Sequence, residues 1–385
     1  MARLLVAAAC VLMLTGPYPA SAGTALQDRA RAAALAAQAD EAAAAGNVAK
    51  AIELLEQAAR AAPAWAELKV NLAATLSRAG DYPKAIAAAR EALALDPSLD
   101  GARFNLGLAL LKSGNAADAA ATLAPYADRS TGVPASVHAA LGLAWVQLGR
   151  DKDALPVLQR AADEGSRAPE LLLTLGDVAV RLQQIPRAAA ALTLLQRVAP
   201  EAAGTALLAG DVADAQQDWP AAARDYGDAI DRAPTSARAH RSLGLARYKQ
   251  RQYAAAASEL QRAIALAPED VWARYYLAQI WLDTGKAADA AADLERAAAM
   301  APRRTDVWRD LGRARLELDQ AGPAVEALTR AVKLSPEDAS AWFLLGRALR
   351  KRGDRDAAAA AFTRAAALNQ QERDRLRKRV SGGGG

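Results

Sequence analysis

Small residues recur along this chain on a fixed beat. Ala51, Ala85, Ala119, Ala154, Ala188, Ala222, Ala256, Ala290, Ala324 and Ala358 follow one another at 34 residues, with a single step of 35. A second small position runs in parallel: Ala39, Ala73, Gly107, Gly142, Gly176, Gly210, Gly244, Ala278, Gly312 and Gly346. Pro200, Pro234, Pro268, Pro302 and Pro336 keep the same 34-residue interval, as do Pro63 and Pro97. A sustained period of this length marks stacked structural units. The pattern predicts two helices in each unit. Gly80, Gly114, Gly149, Gly285 and Gly353 fall between them, where a left-handed helix end is wanted. Each Pro closes a unit, because it cannot continue a helix. The small residues let neighbouring helices approach closely. One helix pair cannot bury its own apolar faces, so each unit relies on its neighbours. Ten units start at 32, 66, 100, 135, 169, 203, 237, 271, 305 and 339.

The last unit reads "ASAWFLLGRALRKRGDRDAAAAAFTRAAALNQ", with Trp342, Leu345, Gly346, Gly353, Ala358, Phe362 and Ala365 at signature places. This resembles the tetratricopeptide repeat family, and the likeness extends over residues 32–372. The resemblance implies an all-α fold, a right-handed α-solenoid of about ten helix-turn-helix repeats. It also implies that the first helix of each repeat, helix A, lines a concave groove. Two joints are irregular. The third repeat ends in "APYADRSTGVP" and the fourth in "ADEGSRAP", so residues 124–136 and 164–169 are the expected weak points.

The ends read differently. Arg3, the apolar run "LLVAAACVLMLTG" and the small residues "ASA" at 20–22 form a secretory leader expected to be cleaved near Ala22. Residues 23–31 are a helical lead-in, 371–380 a basic capping helix and 381–385 a flexible Gly tail. The single Cys, Cys10, lies in the leader, so the exported chain would hold no disulfide and no thiolate site. With no second long apolar run, it is expected in the periplasm or secreted, without a transmembrane anchor.

Composition points away from catalysis. The chain is 52% hydrophobic but only 5% aromatic, so its core must be built from closely packed Ala-rich helices. No phosphate-binding Gly loop or nucleophile elbow occurs. His138 and His240 both take the fourth position of helix A and are expected to pack a repeat junction. No cofactor, metal or catalytic residue is expected. A formal charge of +5 invites anionic partners without requiring nucleic acid.

In the family that the sequence resembles, helix A positions 2, 5, 9, 12 and 13 face the groove. These are bland in the first repeats, as at Ala33 and Ala36, and apolar in the middle, as at Leu173, Val180 and Leu207. The C-terminal four repeats supply Arg238, Arg241, Tyr248 and Lys249, then Trp272, Tyr275 and Gln279, then Arg309 and Arg313. The last adds Phe343, Arg347, Arg350 and Lys351. Arginine suits carboxylates through charge-assisted bonds, and the rings could stack on a ligand. Asp306 and Asp310 stand three residues before Arg309 and Arg313 and are placed to neutralise them within their helix. These residues point to an exported scaffold that grips an acidic or extended segment of a partner protein while an envelope complex assembles. The alternative is a component of an exopolysaccharide or secretion machine that touches an anionic polysaccharide.

Overall fold

The computed structural model describes residues 20–129 and 131–381, with side chains from 26 to 377. The expected leader up to residue 19 and the tail from 382 lie outside the described residues. Those residues hold twenty α-helices and no strand. They run in pairs, an A helix followed by a B helix. The first pairs are α1 (Ala20–Ala44) with α2 (Val48–Ala61), α3 (Ala66–Arg78) with α4 (Tyr82–Leu95), and α5 (Asp100–Lys112) with α6 (Ala116–Leu123). Then come α7 (Ala135–Gln147) with α8 (Asp151–Asp163), α9 (Pro169–Arg181) with α10 (Ile185–Val198), and α11 (Ala203–Ala215) with α12 (Trp219–Arg232). Next are α13 (Ala237–Lys249) with α14 (Tyr253–Leu266) and α15 (Val271–Asp283) with α16 (Ala287–Met300). The last are α17 (Thr305–Glu317) with α18 (Ala321–Leu334) and α19 (Ala339–Arg352) with α20 (Arg355–Ser381). Each A helix packs on its own B helix, an α-solenoid arrangement of helix-turn-helix repeats. The chain divides into two compact units, residues 1–166 and 167–385.

The periodic small residues are the core. Ala51, Ala85, Ala154, Ala222, Ala290 and Ala324 are all buried to within 1% of completely. Their partner position shows why size is limited there. A Cβ added at Gly312 would lie 2.3 Å from Cγ of Leu328, a side chain that is itself fully buried. Turns are equally economical. At the end of α3 the Gly80 N–H donates to Ser77 O and the Asp81 N–H to Leu76 O, with Gly80 at φ +83°. That is a Schellman end. Asp81 then caps α4 by accepting from the Lys84 N–H.

A second tie recurs at the start of five A helices. In these the fourth residue reaches back to the carbonyl of the Pro six residues earlier: Arg103 to Pro97, Arg274 to Pro268, Trp308 to Pro302 and Trp342 to Pro336. His240 does the same, with Nε2 3.1 Å from the Pro234 carbonyl and Nδ1 2.8 Å from Glu259. His138 meets the Tyr126 carbonyl and Glu164 in the same way. Both imidazoles are buried junction struts.

The two irregular segments behave differently. In the first, a short 3-10 turn (Ala124–Tyr126) follows α6 and buries Tyr126. Its hydroxyl donates to Asp100 and accepts from Arg103, and its ring meets Phe104 edge-on at 4.7 Å. Arg160 also donates to the Ala127 carbonyl, so this segment is pinned to its unit. The second segment contains the division between the two units, at Ser166 and Arg167.

Candidate binding face of the second unit

Within residues 167–385, α9, α11, α13 and α15 lie side by side in sequence order. Side chains from all four enclose an open cavity of about 420 Å³. Val180 and Arg181 of α9, Leu245 and Ser242 of α13, and Trp272 and Tyr276 of α15 line it. Asp177, Asp211 and Asp214 stand opposite Arg238 and Arg241. Trp272 is 46% exposed, in a chain where large apolar side chains are mostly inside.

The charges are coupled. Arg238 donates from Nη1 and Nη2 to Asp177 at 3.2 and 3.1 Å, and from Nη2 to Asp211 at 2.6 Å. Burial works against the charged guanidinium, but the two carboxylates hold it more firmly protonated than a free arginine. Burial pushes the Asp211 carboxyl above its ordinary range, while the Arg238 charge and the Tyr226 hydroxyl, donating at 2.8 Å, hold it back. Lys249 donates to Asp214 at 2.8 Å. Arg241 donates to Asp270 at 2.6 Å, and Asp270 also caps α15 by accepting from the Ala273 N–H.

Further along, Tyr248 donates to Asp283, and Tyr275 and Gln279 both donate to Asp310, each at 2.9 Å or less. Burial and the neighbouring Asp310 carboxylate raise the Tyr275 hydroxyl, which keeps it a donor. Arg309 bonds Asp310 at 3.3 Å and Asp338, the cap of α19, at 3.2 Å. Arg313 donates to Glu317 one turn later. The acids placed three residues earlier are therefore not the partners of Arg309 and Arg313. Asp306 takes Arg304 instead, and Asp310 serves Tyr275, Gln279 and Arg309. Phe343, Arg347 and Arg350 lie on exposed positions of α19, with the Phe343 and Phe362 rings 5.6 Å apart. Lys351 is paired with Asp319 at 2.6 Å.

Thus Arg238, Arg241 and Trp272 meet in one cavity, Tyr275, Gln279 and Arg309 converge on Asp310, and α19 carries its residues apart from both groups. The ring of Trp272 is not open on both sides. The Arg304 guanidinium sits 3.6 Å from its centroid, and Tyr276 stacks with it at 5.9 Å. Sequence reasoning passed over Asp177, Asp211, Asp214 and Arg304. The first three occupy helix A positions 9, 9 and 12, the same groove-facing positions that carry the cations and rings. Arg304 precedes α17 and gave no periodic signal.

Tetratricopeptide repeat profiles match residues 36–100, 173–237, 207–270, 241–305 and 309–373, and a second such profile matches 70–202. The chain belongs to the tetratricopeptide repeat family. Members of this family typically serve as non-catalytic scaffolds for protein–protein interaction. No curated protein matches the sequence. Among solved structures, MamA of Desulfovibrio magneticus RS-1 is 22% identical, covering 44% of this chain and 96% of its own, with a TM-score of 0.42. Pseudomonas aeruginosa PilF is 20% identical over 50% of this chain and 88% of its own, with a TM-score of 0.47. A tetratricopeptide repeat protein of Parabacteroides merdae is 15% identical over 65% and 98%, with a TM-score of 0.49. No helix among the described residues is long and apolar enough to cross a membrane.

Proposed function

We propose that this chain is an exported, non-catalytic scaffold that binds a segment of a partner protein along the A helices of residues 167–385, in the assembly of an envelope complex. The cavity beside Trp272 is the observation that carries this reading. It offers apolar walls in Val180, Leu245 and the exposed edge of Trp272, set among fixed polar groups, and a partner side chain could enter it. The surrounding charges are already ordered by Arg238, Asp177 and Asp211, so binding need not first immobilise them. Export is supported by the leader-like first 22 residues. The anionic-polysaccharide alternative draws less support. It needs an open basic band, whereas Arg238, Arg241, Lys249, Arg309 and Arg313 are each bonded to a carboxylate.

The test is site-specific photocrosslinking in cells that make the full chain. A photoreactive residue at position 272 should give a discrete protein adduct in the envelope fraction, and one at the exposed Ala299 of α16 should not. Equal labelling from both positions, or a chain retained in the cytosolic fraction, would reject the reading.

A further inference from the structure

Along the second unit, donors on one A helix find acceptors on the next. Arg241 and Tyr248 of α13 bond Asp270 and Asp283 at the two ends of α15. Tyr275 and Gln279 of α15 bond Asp310 of α17, and Arg309 of α17 bonds Asp338 at the head of α19. At α19 this series stops. The preceding B helices α12, α14, α16 and α18 each end after 14 residues, where the chain turns into the next A helix. α20 instead continues unbroken for 27 residues, and among its described side chains Leu368 is the last that is buried. Residues 369–381 therefore do not fold back to supply the next acceptor.

The consequence is visible on α19. Phe343, Arg347 and Arg350 share one face by their spacing of four and three. Phe343 is 50% exposed. Among the described residues Arg347 makes no hydrogen bond or ion pair, and Arg350 has only the Phe362 ring, 5.5 Å from its guanidinium. Together with Leu316 and Lys351 they line a hollow of about 300 Å³. The Lys351 pair with Asp319 is exposed on both sides and worth little. No acid of α20 pairs with Arg347 or Arg350 among the described residues: Asp374 accepts from Gln370, Glu372 lies by Arg375, and Asp356 stands in the first turn without bonding either arginine.

We infer that this face of α19 docks an acidic segment of a partner protein. Its carboxylates take Arg347 and Arg350, as Asp310 and Asp338 take donors inside the array, and its apolar side chain covers Phe343. An anionic polymer without apolar groups would satisfy the arginines but leave Phe343 bare. The inference rests on the scaffold reading and adds the chemistry of the partner at one end of the unit.

The probe is a fluorescent peptide of about 18 residues, five helical turns, built from Leu and Glu with the Glu spaced at i and i+4. Its twin carries Lys for each Glu. Fluorescence polarisation with the full chain should show the Glu peptide binding roughly tenfold or more tightly than the Lys twin. Arg347→Glu with Arg350→Glu should weaken the Glu peptide by about tenfold or more, and Phe343→Ala should weaken it several-fold. Ala299→Ser, on the exposed face of α16, should leave it unchanged. All these side chains are exposed, and circular dichroism checks that the variants fold. Equal binding by the wild type and the arginine pair variant overturns the inference. Full binding by Phe343→Ala overturns it in favour of a simple polyanion site. Sedimentation showing self-association that the arginine pair variant abolishes overturns it in favour of a second copy. If crosslinking from position 272 persists while the peptide fails, only the α19 inference falls. If both fail, the scaffold reading falls with it.

Discussion

The two units make the same turns with a different balance of devices. In residues 1–166 the turn inside a repeat is well made: Gly46, Gly80 and Gly114 take the left-handed conformation, and Asn47, Asp81 and Asn115 cap the B helix that follows. The turns between those repeats are bare, since Trp65, Leu99 and Pro134 precede their A helices without any side-chain cap. In residues 167–385 the balance shifts: Gly285 and Gly353 keep the glycine turn and Asp218 caps α12, but the other turns differ. Gln183, Gln217, Arg251 and Asp319 hold left-handed backbone without being Gly, a conformation that costs roughly 1 kcal/mol or more. Between repeats, Ser236, Asp270 and Asp338 cap the A helices, and the two Asp also receive Arg241 and Arg309 from the preceding repeat. A repeat array is a sum of unit stabilities and neighbour couplings. The first unit is built on the former, and the second leans on the latter while presenting its charged groups along the A helices.

The sharpest way to break this contrast is through the capping acids. Asp270→Ala or Asp338→Ala removes a cap and an arginine acceptor together, and should cost about 2 kcal/mol in urea denaturation. Asp81→Ala removes a cap alone and should cost about 1 kcal/mol. Equal losses would mean that the inter-repeat arginines contribute nothing. Next in size are the turns. Gln217→Gly and Arg251→Gly relieve left-handed strain and should each stabilise by about 0.5–1 kcal/mol, whereas Gly80→Gln should destabilise by about 1 kcal/mol. Melting temperatures that move in the same direction for all three would refute the assignment of strain.

The smallest expected effect is on pH, with opposite signs in the two units. The Tyr126 hydroxyl, donating to Asp100, lowers that carboxyl below the ordinary value of about 4. Its contribution is therefore present above that value and is lost as pH falls through the lowered one. Asp211 is raised, chiefly by burial, so its ionisation is a cost at neutral pH that disappears as pH falls through its raised value. Asp100→Asn should flatten the loss of stability below about pH 4. Asp211→Asn should flatten the profile above it. Melting curves for each variant across this range read both slopes, and identical profiles would sink the distinction.

Much of the fold was legible in the sequence because its determinants are local and repeated. Ala290 and Ala324 keep their beat since a larger residue would not fit between two helices, and Gly312 since Leu328 fills the space beside it. Gly80 and Gly114 mark turns since left-handed backbone favours Gly, although Gln183 and Gln217 take the same turn without that mark. The candidate site was legible only in part. Helix A positions single out Arg238, Arg241 and Trp272, but Asp177 and Asp211 hold positions of the same groove-facing set in the two preceding repeats. They turn an expected basic band into ion pairs.

Periodicity by itself determined the helix pairs, their small-residue contacts and the family, because each follows from spacing along one or two helices. Tertiary packing decided which charges are free. Arg241 meets Asp270 and Arg309 meets Asp338 across 29 residues, and Tyr275 meets Asp310 across 35. Those distances along the chain become a few ångströms only when consecutive repeats lie side by side. Arg347 stands without an acid for the same reason: α20 runs straight on, and no described helix places a carboxylate beside it.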